Sequence, residues 1–372
     1  LSLPDEVPGG WLPLGSNTHL PVRVGPPFNA ARAAGVTTRL HHPLTGAPRT
    51  LRLVFANWMN DGGRDAPGPN ALTLGVTVES AGDHRTVRFA GLPEATLMPG
   101  QALVSDPLDL GAAADAITTT TRVRPTSGDH VPLGPEADTT AGESVQALLP
   151  DGTRDVLRHG FGPCQILGVP TQDHHPEHVL VVGDSNAVGF GDQRGSAEHL
   201  GWVRRLFDGR RLAVNASTSG ATAAAALAEG PSLRRAQLSA AAAPGLAVVA
   251  LGTNDLQRGG DLAAVQAALQ SLWRVLSDEG WRIAAVTVPP VTESSDAWVT
   301  VDSQAPTPGH RERVALNEWL RRRPAPVDEV WDLAEVVAAG STRWRPGLTH
   351  DGVHLSPPGH AAVAHRFADR LR

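Results

Sequence analysis

Two patterns of apolar and polar positions divide the chain. Up to about Val169, residues 49–56, 72–79, 85–90 and 116–124 largely alternate polar and apolar. That is the period-two signature of strands with one buried face. Gly, or the run Asn60-Asp61-Gly62, punctuates the spaces between them. Several strands at short spacing predict an all-β sandwich, jelly-roll-like, over residues 1–169.

Beyond the Pro- and His-rich stretch 169–176 the pattern changes. Residues 179–182, 212–215, 246–251 and 283–288 are apolar runs suited to strands buried on both faces. Amphipathic segments lie between and after them. Leu200, Val203, Leu206 and Phe207 share one side of a helix over 197–207, and Val265, Leu269, Leu272 and Leu276 do the same over 262–276. A helix at 311–322, a short strand at 330–333 and a closing helix after Ser356 complete the series. Repeated strand–helix units predict an α/β domain, a parallel sheet wrapped on both faces, over residues 170–372.

Composition narrows the partners. The chain has 372 residues, enough for two cores, and a formal net charge of −6, so nothing marks it for nucleic acid or an anionic membrane. No apolar run is long enough to span a bilayer. Lys and Tyr are absent, which reads as compositional bias. The single Cys164 excludes an internal disulfide, and its expected role is a small buried hydrophobe. No Cys/His cluster offers a metal site, and the pairs His41-His42 and His174-His175 are expected in solvated segments. The chain opens at Leu1 without an initiator Met. A removed secretion leader or a trimmed start fits this equally, so an extracellular setting is expected with the cytoplasm left open.

Four short blocks carry the candidate chemistry: Gly183-Asp184-Ser185, Gly220, Gly252-Thr253-Asn254-Asp255 and Asp351-Gly352-Val353-His354. Three follow predicted strands and the last precedes the closing helix, so all four converge at the carboxyl edge of the sheet, where such folds bind ligands. Acyl transfer requires a hydroxyl, a base, an acid that orients the base, and donors for the negative charge that develops on the carbonyl oxygen. Ser185 fits the nucleophile and His354 the base. Asp351, three residues earlier, fits the orienting acid. The Ser185 amide, the Gly220 amide and the Asn254 side chain fit the oxyanion hole. Asp184 and Asp255 are expected to be scaffolding, and neither His350 nor His360 has the Asp-x-x-His relation. Trp298 and Trp344 fall in loops bordering the cleft, where ordinary packing is the expectation.

These blocks resemble the SGNH hydrolases, also called GDSL esterases and lipases, named for this Ser, Gly, Asn and His. Asn186 stands where the GDSL motif has Leu, with no consequence expected for the chemistry. The resemblance covers roughly residues 177–372 and implies a three-layer, flavodoxin-like domain acting without cofactor or metal. The first half is similar to the β-sandwich preceding the hydrolase in some secreted members and carbohydrate acetyl esterases. An α/β-hydrolase would instead need Gly-x-Ser-x-Gly and a more distant acid. The implied activity is a serine esterase acting on short-chain carboxylic esters, deacetylating a carbohydrate. A broader carboxylesterase or lipase is the alternative enzyme, and a carbohydrate-binding module with a vestigial hydrolase the alternative outside enzymes. The expected partner is a small-molecule or carbohydrate ester.

Overall fold

The computed structural model describes residues 11–15, 30–134, 137–171, 178–192, 201–207, 211–228 and 244–371. The first half packs two antiparallel sheets. One sheet orders its strands Arg154–Val156, Ser144–Leu148, Gly35–Pro43, Ala116–Pro125, Leu72–Ser80 and Asp83–Thr86, with Glu94–Leu97 also paired to Leu72–Ser80. The other runs Leu12–Pro13, Gln165–Gly168, Thr50–Ala56 and Ala102–Val104, with Leu108–Asp109 also on Thr50–Ala56. Burial alternates along Gly35–Pro43 and along Leu72–Ser80, as the period-two pattern requires. Val36, Leu74, Val76 and Ile117 from one sheet and Leu53, Phe55 and Ile166 from the other form one core cluster.

Two expectations need correction. The strand expected at 85–90 is Asp83–Thr86. Beyond it Phe89 and Leu92 pair across Ala90 and Gly91, both at positive φ, so the chain turns instead of extending. His42 is also not solvated. Alternation along Gly35–Pro43 turns it inward, fully buried, with Nε2 2.8 Å from the Thr119 hydroxyl. Residues 172–177, which include His174 and His175, lie outside the described residues. Cys164 is buried beside Val54, Ala56, Trp58 and Leu167, as expected.

In the second half five parallel strands lie in the order Ala213–Asn215, Val179–Gly183, Leu246–Ala250, Arg282–Val286, Glu329–Trp331. In chain order this is 2-1-3-4-5, the flavodoxin-like arrangement. The helices Ala223–Leu227, Leu262–Asp278 and His310–Arg321 cover one face, packing Leu269, Leu272, Trp273 and Leu316 on Leu180, Val249 and Ile283. Gly201–Phe207, Leu333–Val337 and Pro357–Ala368 cover the other, packing Trp202, Phe207 and Phe367 on Val179, Val181 and Val248. The helix expected at 197–207 is described from Gly201 onward. Asp261 and Ser356 cap the two helices that follow them by accepting backbone N–H bonds from Ala264 and Gly359. Chain order reverses between Val179–Gly183 and Leu246–Ala250, so their carboxyl ends form the crevice where such sheets bind ligands.

Burial pushes the His42 imidazole down to about 3, with the charges of His41 and Arg204 adding to the effect. An unfolded imidazole titrates near 6.5, so between these values the unfolded chain binds the extra proton. The stability His42 supports is therefore intact above about pH 6.5 and is lost progressively as pH falls toward 3. At pH 5 the loss is on the order of 2 kcal/mol, or roughly 5 °C in Tm. Thermal melts of the wild type and His42→Gln should show a smaller drop between pH 7 and 5 for the variant. Equal drops would discount His42.

Candidate active site

The nucleophile block is a tight handover from strand to helix. Val179–Gly183 is buried throughout, and Asp184 then caps a single helical turn, Ser185–Val188, by accepting the Asn186 N–H at Oδ1 (3.0 Å). Gly183 is required by the close approach here, since a Cβ would fall 2.6 Å from that of Ala187 and 3.1 Å from the Ala250 carbonyl oxygen. Ser185 thus occupies the first helical position, 8% exposed. Its N–H lies among the helix-start donors that have no partner within the helix.

His354 arrives from 169 residues further along the chain. Asp351 Oδ1 accepts the N–H groups of Val353 (2.9 Å) and His354 (2.7 Å), folding the loop so that Oδ2 meets His354 Nδ1 at 2.6 Å. His354 Nε2 then lies 2.9 Å from Ser185 Oγ. Burial raises the Asp351 carboxyl, but the bonds from the His354 ring and the two backbone N–H groups, with the His354 charge, outweigh it and hold the group well below the usual carboxylate range. An ionised Asp351 fixes the proton on Nδ1 and leaves the Nε2 lone pair to accept the Ser185 hydroxyl.

Gly220 and Asn254 come together at the neighbouring loop. Ala221 N–H donates to the Thr218 carbonyl at 3.0 Å, closing a turn in which Gly220, at φ +81°, holds the third position. That conformation suits glycine, as in a type II turn. Among the described residues neither the Ser185 nor the Gly220 N–H has a protein acceptor. Asn254 donates through Nδ2 to the Ala221 carbonyl at 3.0 Å, which uses one of its two amide hydrogens. Asp255 accepts the Ala223 N–H with both oxygens, at 2.9 and 3.2 Å, and so holds the start of Ala223–Leu227. Asp184 is buried as a cap, and desolvation pushes its carboxyl up to about 6 against the bonds from Asn186 and Thr253. Both acids brace the loops, the role expected of them.

Sequence reasoning missed two asparagines. Asn186 sits on the nucleophile turn yet accepts the Leu355 N–H at Oδ1 (2.9 Å) and donates Nδ2–H to the Val353 carbonyl (3.3 Å). It clamps both sides of His354, a role its place in the GDSL motif concealed. Asn215 is buried at a strand end and donates to the Ala187 carbonyl (3.0 Å) while accepting the Ser217 N–H (3.1 Å), tying the nucleophile turn to the Gly220 loop. A polar side chain closing an apolar strand was the available signal. Trp344 is fully buried and donates Nε1–H to the Gly352 carbonyl at 2.9 Å, while the half-buried Trp298 lies against Gly352. Both pack beneath the loop that carries the base.

The other histidines take different roles. His360 is fully buried, accepts the Trp202 N–H at Nδ1 (3.2 Å) and lies 3.1 Å from the Phe190 carbonyl through Nε2. Desolvation pushes it down to about 4, and it stays a neutral strut. Exposed His350 brings Nε2 to 3.5 Å from Asp351 Oδ2. His350, Asp351 and His354 place three ligand-type atoms within 4.8 Å, the one such group among the described residues. A cation there would compete for the carboxylate and imidazole that already bond each other. Phe190, 38% exposed, lies over the base with its ring 4.4 Å from that of His354.

Residues 181–362 match the family model described as the GDSL-like Lipase/Acylhydrolase family, so this stretch is a GDSL-like lipase/acylhydrolase domain. No curated protein matches the chain. Among solved structures, a GDSL-like lipase from Bacteroides thetaiotaomicron is 16% identical, covering 53% of this chain and 88% of that one, with a TM-score of 0.40. A carbohydrate acetylesterase from Sinorhizobium meliloti is 19% identical, covering 52% and 98%, with a TM-score of 0.38. The aryl esterase of M. smegmatis is 15% identical, covering 53% and 98%, with a TM-score of 0.37.

Removing the Asn186 clamp leaves a buried donor and a carbonyl unpaired, which typically costs about 1–3 kcal/mol. Asn186→Ala should lower the urea midpoint accordingly, and Asn186→Leu, which restores the motif residue, should not recover it. A midpoint unchanged in both variants would refute the clamp.

Proposed function

We propose that the chain is a serine esterase that cleaves short-chain carboxylic esters through an acyl-enzyme on Ser185, and that its natural reaction is deacetylation of a carbohydrate. One observation carries this reading. Asp351, His354 and Ser185 form an unbroken hydrogen-bonded run, 2.6 Å and then 2.9 Å, ending on a hydroxyl at the mouth of a switch-point crevice.

In this mechanism Ser185 Oγ attacks the ester carbonyl as its proton passes to His354 Nε2. The ionised Asp351 stabilises the resulting imidazolium and keeps the ring in register. Negative charge on the former carbonyl oxygen is met by the Ser185 N–H, the Gly220 N–H and the remaining amide hydrogen of Asn254. Collapse breaks the carbonyl–alkoxy bond, and the imidazolium returns its proton to the departing alcohol. Water then repeats the sequence on the acyl-enzyme, releasing the carboxylic acid and restoring the Ser185 hydroxyl.

The sugar reading draws support from the β-sandwich, which carries a groove of about 390 Å³ lined by Thr37, Thr73, Arg122, Arg124 and Gln146, donors and acceptors suited to hydroxyl groups. The exposed Phe190 ring over His354 favours a second reading, a broader carboxylesterase taking apolar alcohols.

Ser185→Ala should lower turnover of 4-nitrophenyl acetate by on the order of 10⁴-fold or more with an unchanged Tm. Retained turnover would sink the assignment. Chelators should leave the wild-type rate intact, checked by assay after EDTA dialysis. Rates on acetylated xylan, other acetylated sugars and nitrophenyl esters of rising chain length separate the two readings. A steep preference for acetylated sugars supports the first, and faster turnover of longer alkyl or aryl esters supports the second.

A further inference from the structure

The Gly220 loop is gripped from behind by the first half of the chain. The strands Trp58–Asp61 and Arg64–Pro67 form a hairpin whose tip rests on this loop. Asn60 is fully buried and donates Nδ2–H to the Ser219 carbonyl at 2.9 Å, while its Oδ1 accepts the Gly63 N–H at 2.9 Å. The tip packs directly on the loop backbone. A Cβ on Gly63 would fall 2.1 Å from the Gly220 carbonyl oxygen and 2.8 Å from Ala221 N, and Gly63 itself sits at φ +92°. Arg258 closes the contact, donating from one guanidinium nitrogen to the Gly220 carbonyl (3.0 Å) and to the Gly62 carbonyl (3.4 Å).

The Ser219 carbonyl and the Gly220 N–H belong to one peptide unit, which is planar and trans, so they point in opposite directions. A donor on that carbonyl therefore fixes the direction of the N–H and, by polarising the peptide, strengthens it as a donor. We infer that Asn60, carried by the β-rich half, is a positioning residue for the oxyanion hole of the hydrolase half. The inference rests on the esterase reading, in which the Gly220 N–H meets the developing charge. Because that charge exists in the transition state, loss of the Asn60 donor lowers kcat and leaves KM in place. Losing an oxyanion donor outright costs about 10²–10³ in turnover, so misaiming one should cost roughly 10- to 100-fold.

The test uses the full chain with 4-nitrophenyl acetate. Asn60→Asp keeps the side-chain shape and the acceptor for Gly63 N–H but sets a carboxylate oxygen against the Ser219 carbonyl. Its kcat should fall roughly 10- to 100-fold with KM within about twofold. Protonating the introduced carboxyl restores a donor, so the ratio of variant to wild-type kcat should rise as pH is lowered from 8 to 5. A purely structural role would give no such recovery. Asp61→Ala, at the exposed hairpin tip, should match the wild type. If Asn60→Asp does not fold, Arg258→Met removes the exposed grip on Gly220 and should lower kcat severalfold at constant KM. Wild-type kcat in the folded variant, a pH-independent ratio, or a loss confined to KM would overturn the inference. Should Ser185→Ala remain active, the esterase reading falls and this inference with it. A dead Ser185→Ala beside a wild-type Asn60→Asp rejects the Asn60 role alone.

Discussion

The hydrogen bond between Ser185 Oγ and His354 Nε2 joins positions 169 residues apart, and much of the α/β half serves to make that contact permanent. Ordering so long a loop carries a conformational cost that the contact alone does not repay. Its repayment comes from the strand clusters on both faces of the sheet and from local ties at the crevice. Asn186 bonds both sides of the base, Thr349 donates to the His354 carbonyl, and Trp344 holds Gly352 from beneath. With these in place Ser185 and His354 need no rearrangement to meet.

The same few side-chain types are driven into different protonation states within a short distance. Asp351 is held ionised by three donors, whereas Asp184, one position before the nucleophile, is pushed up to about 6 by desolvation. His360 is kept neutral by burial and serves as a strut, while His354 remains open toward the serine. Environments that separate like groups in this way are what assign acid, base and scaffold roles. Hydrogen-bond inventory, more than proximity to Ser185, distinguishes the carboxylate that meets His354 from its neighbours.

The parts legible in the sequence were those set by periodicity and by local motifs. Apolar runs gave four of the five parallel strands to within a few residues, because strands buried on both faces tolerate little else. The Asp351–His354 relation was legible because both residues lie in one turn. Long-range polar contacts left no pattern. Asn186 and Asn215 act on segments distant in sequence, so neither could be placed by spacing. His42 misled for a related reason: it looks solvent-seeking, yet strand alternation and the Thr119 hydroxyl make burial tolerable.

A loop at the carboxyl edge of a parallel sheet is supported from below by its strand and open above. A backbone donor placed there is free to swing unless something closes the outer side. In this chain the closing element is the Asn60 hairpin, and the contact is so close that both sides are glycine. Each glycine is at positive φ, Gly63 leaves no room for a side chain against Gly220, and Arg258 spans the seam to carbonyls on both halves. Leu212, at the head of a parallel strand, lies within the sandwich core, and Thr45 donates to the Arg211 carbonyl, so the hairpin is not the sole junction. A hairpin anchored only by its own two strands would be a weak brace. Joined through buried Trp58 to the cluster of Val54, Ala56, Cys164 and Leu167 on the outer face of its sheet, and through these further points to the α/β half, it becomes a fixed back wall for the peptide that carries the Gly220 N–H.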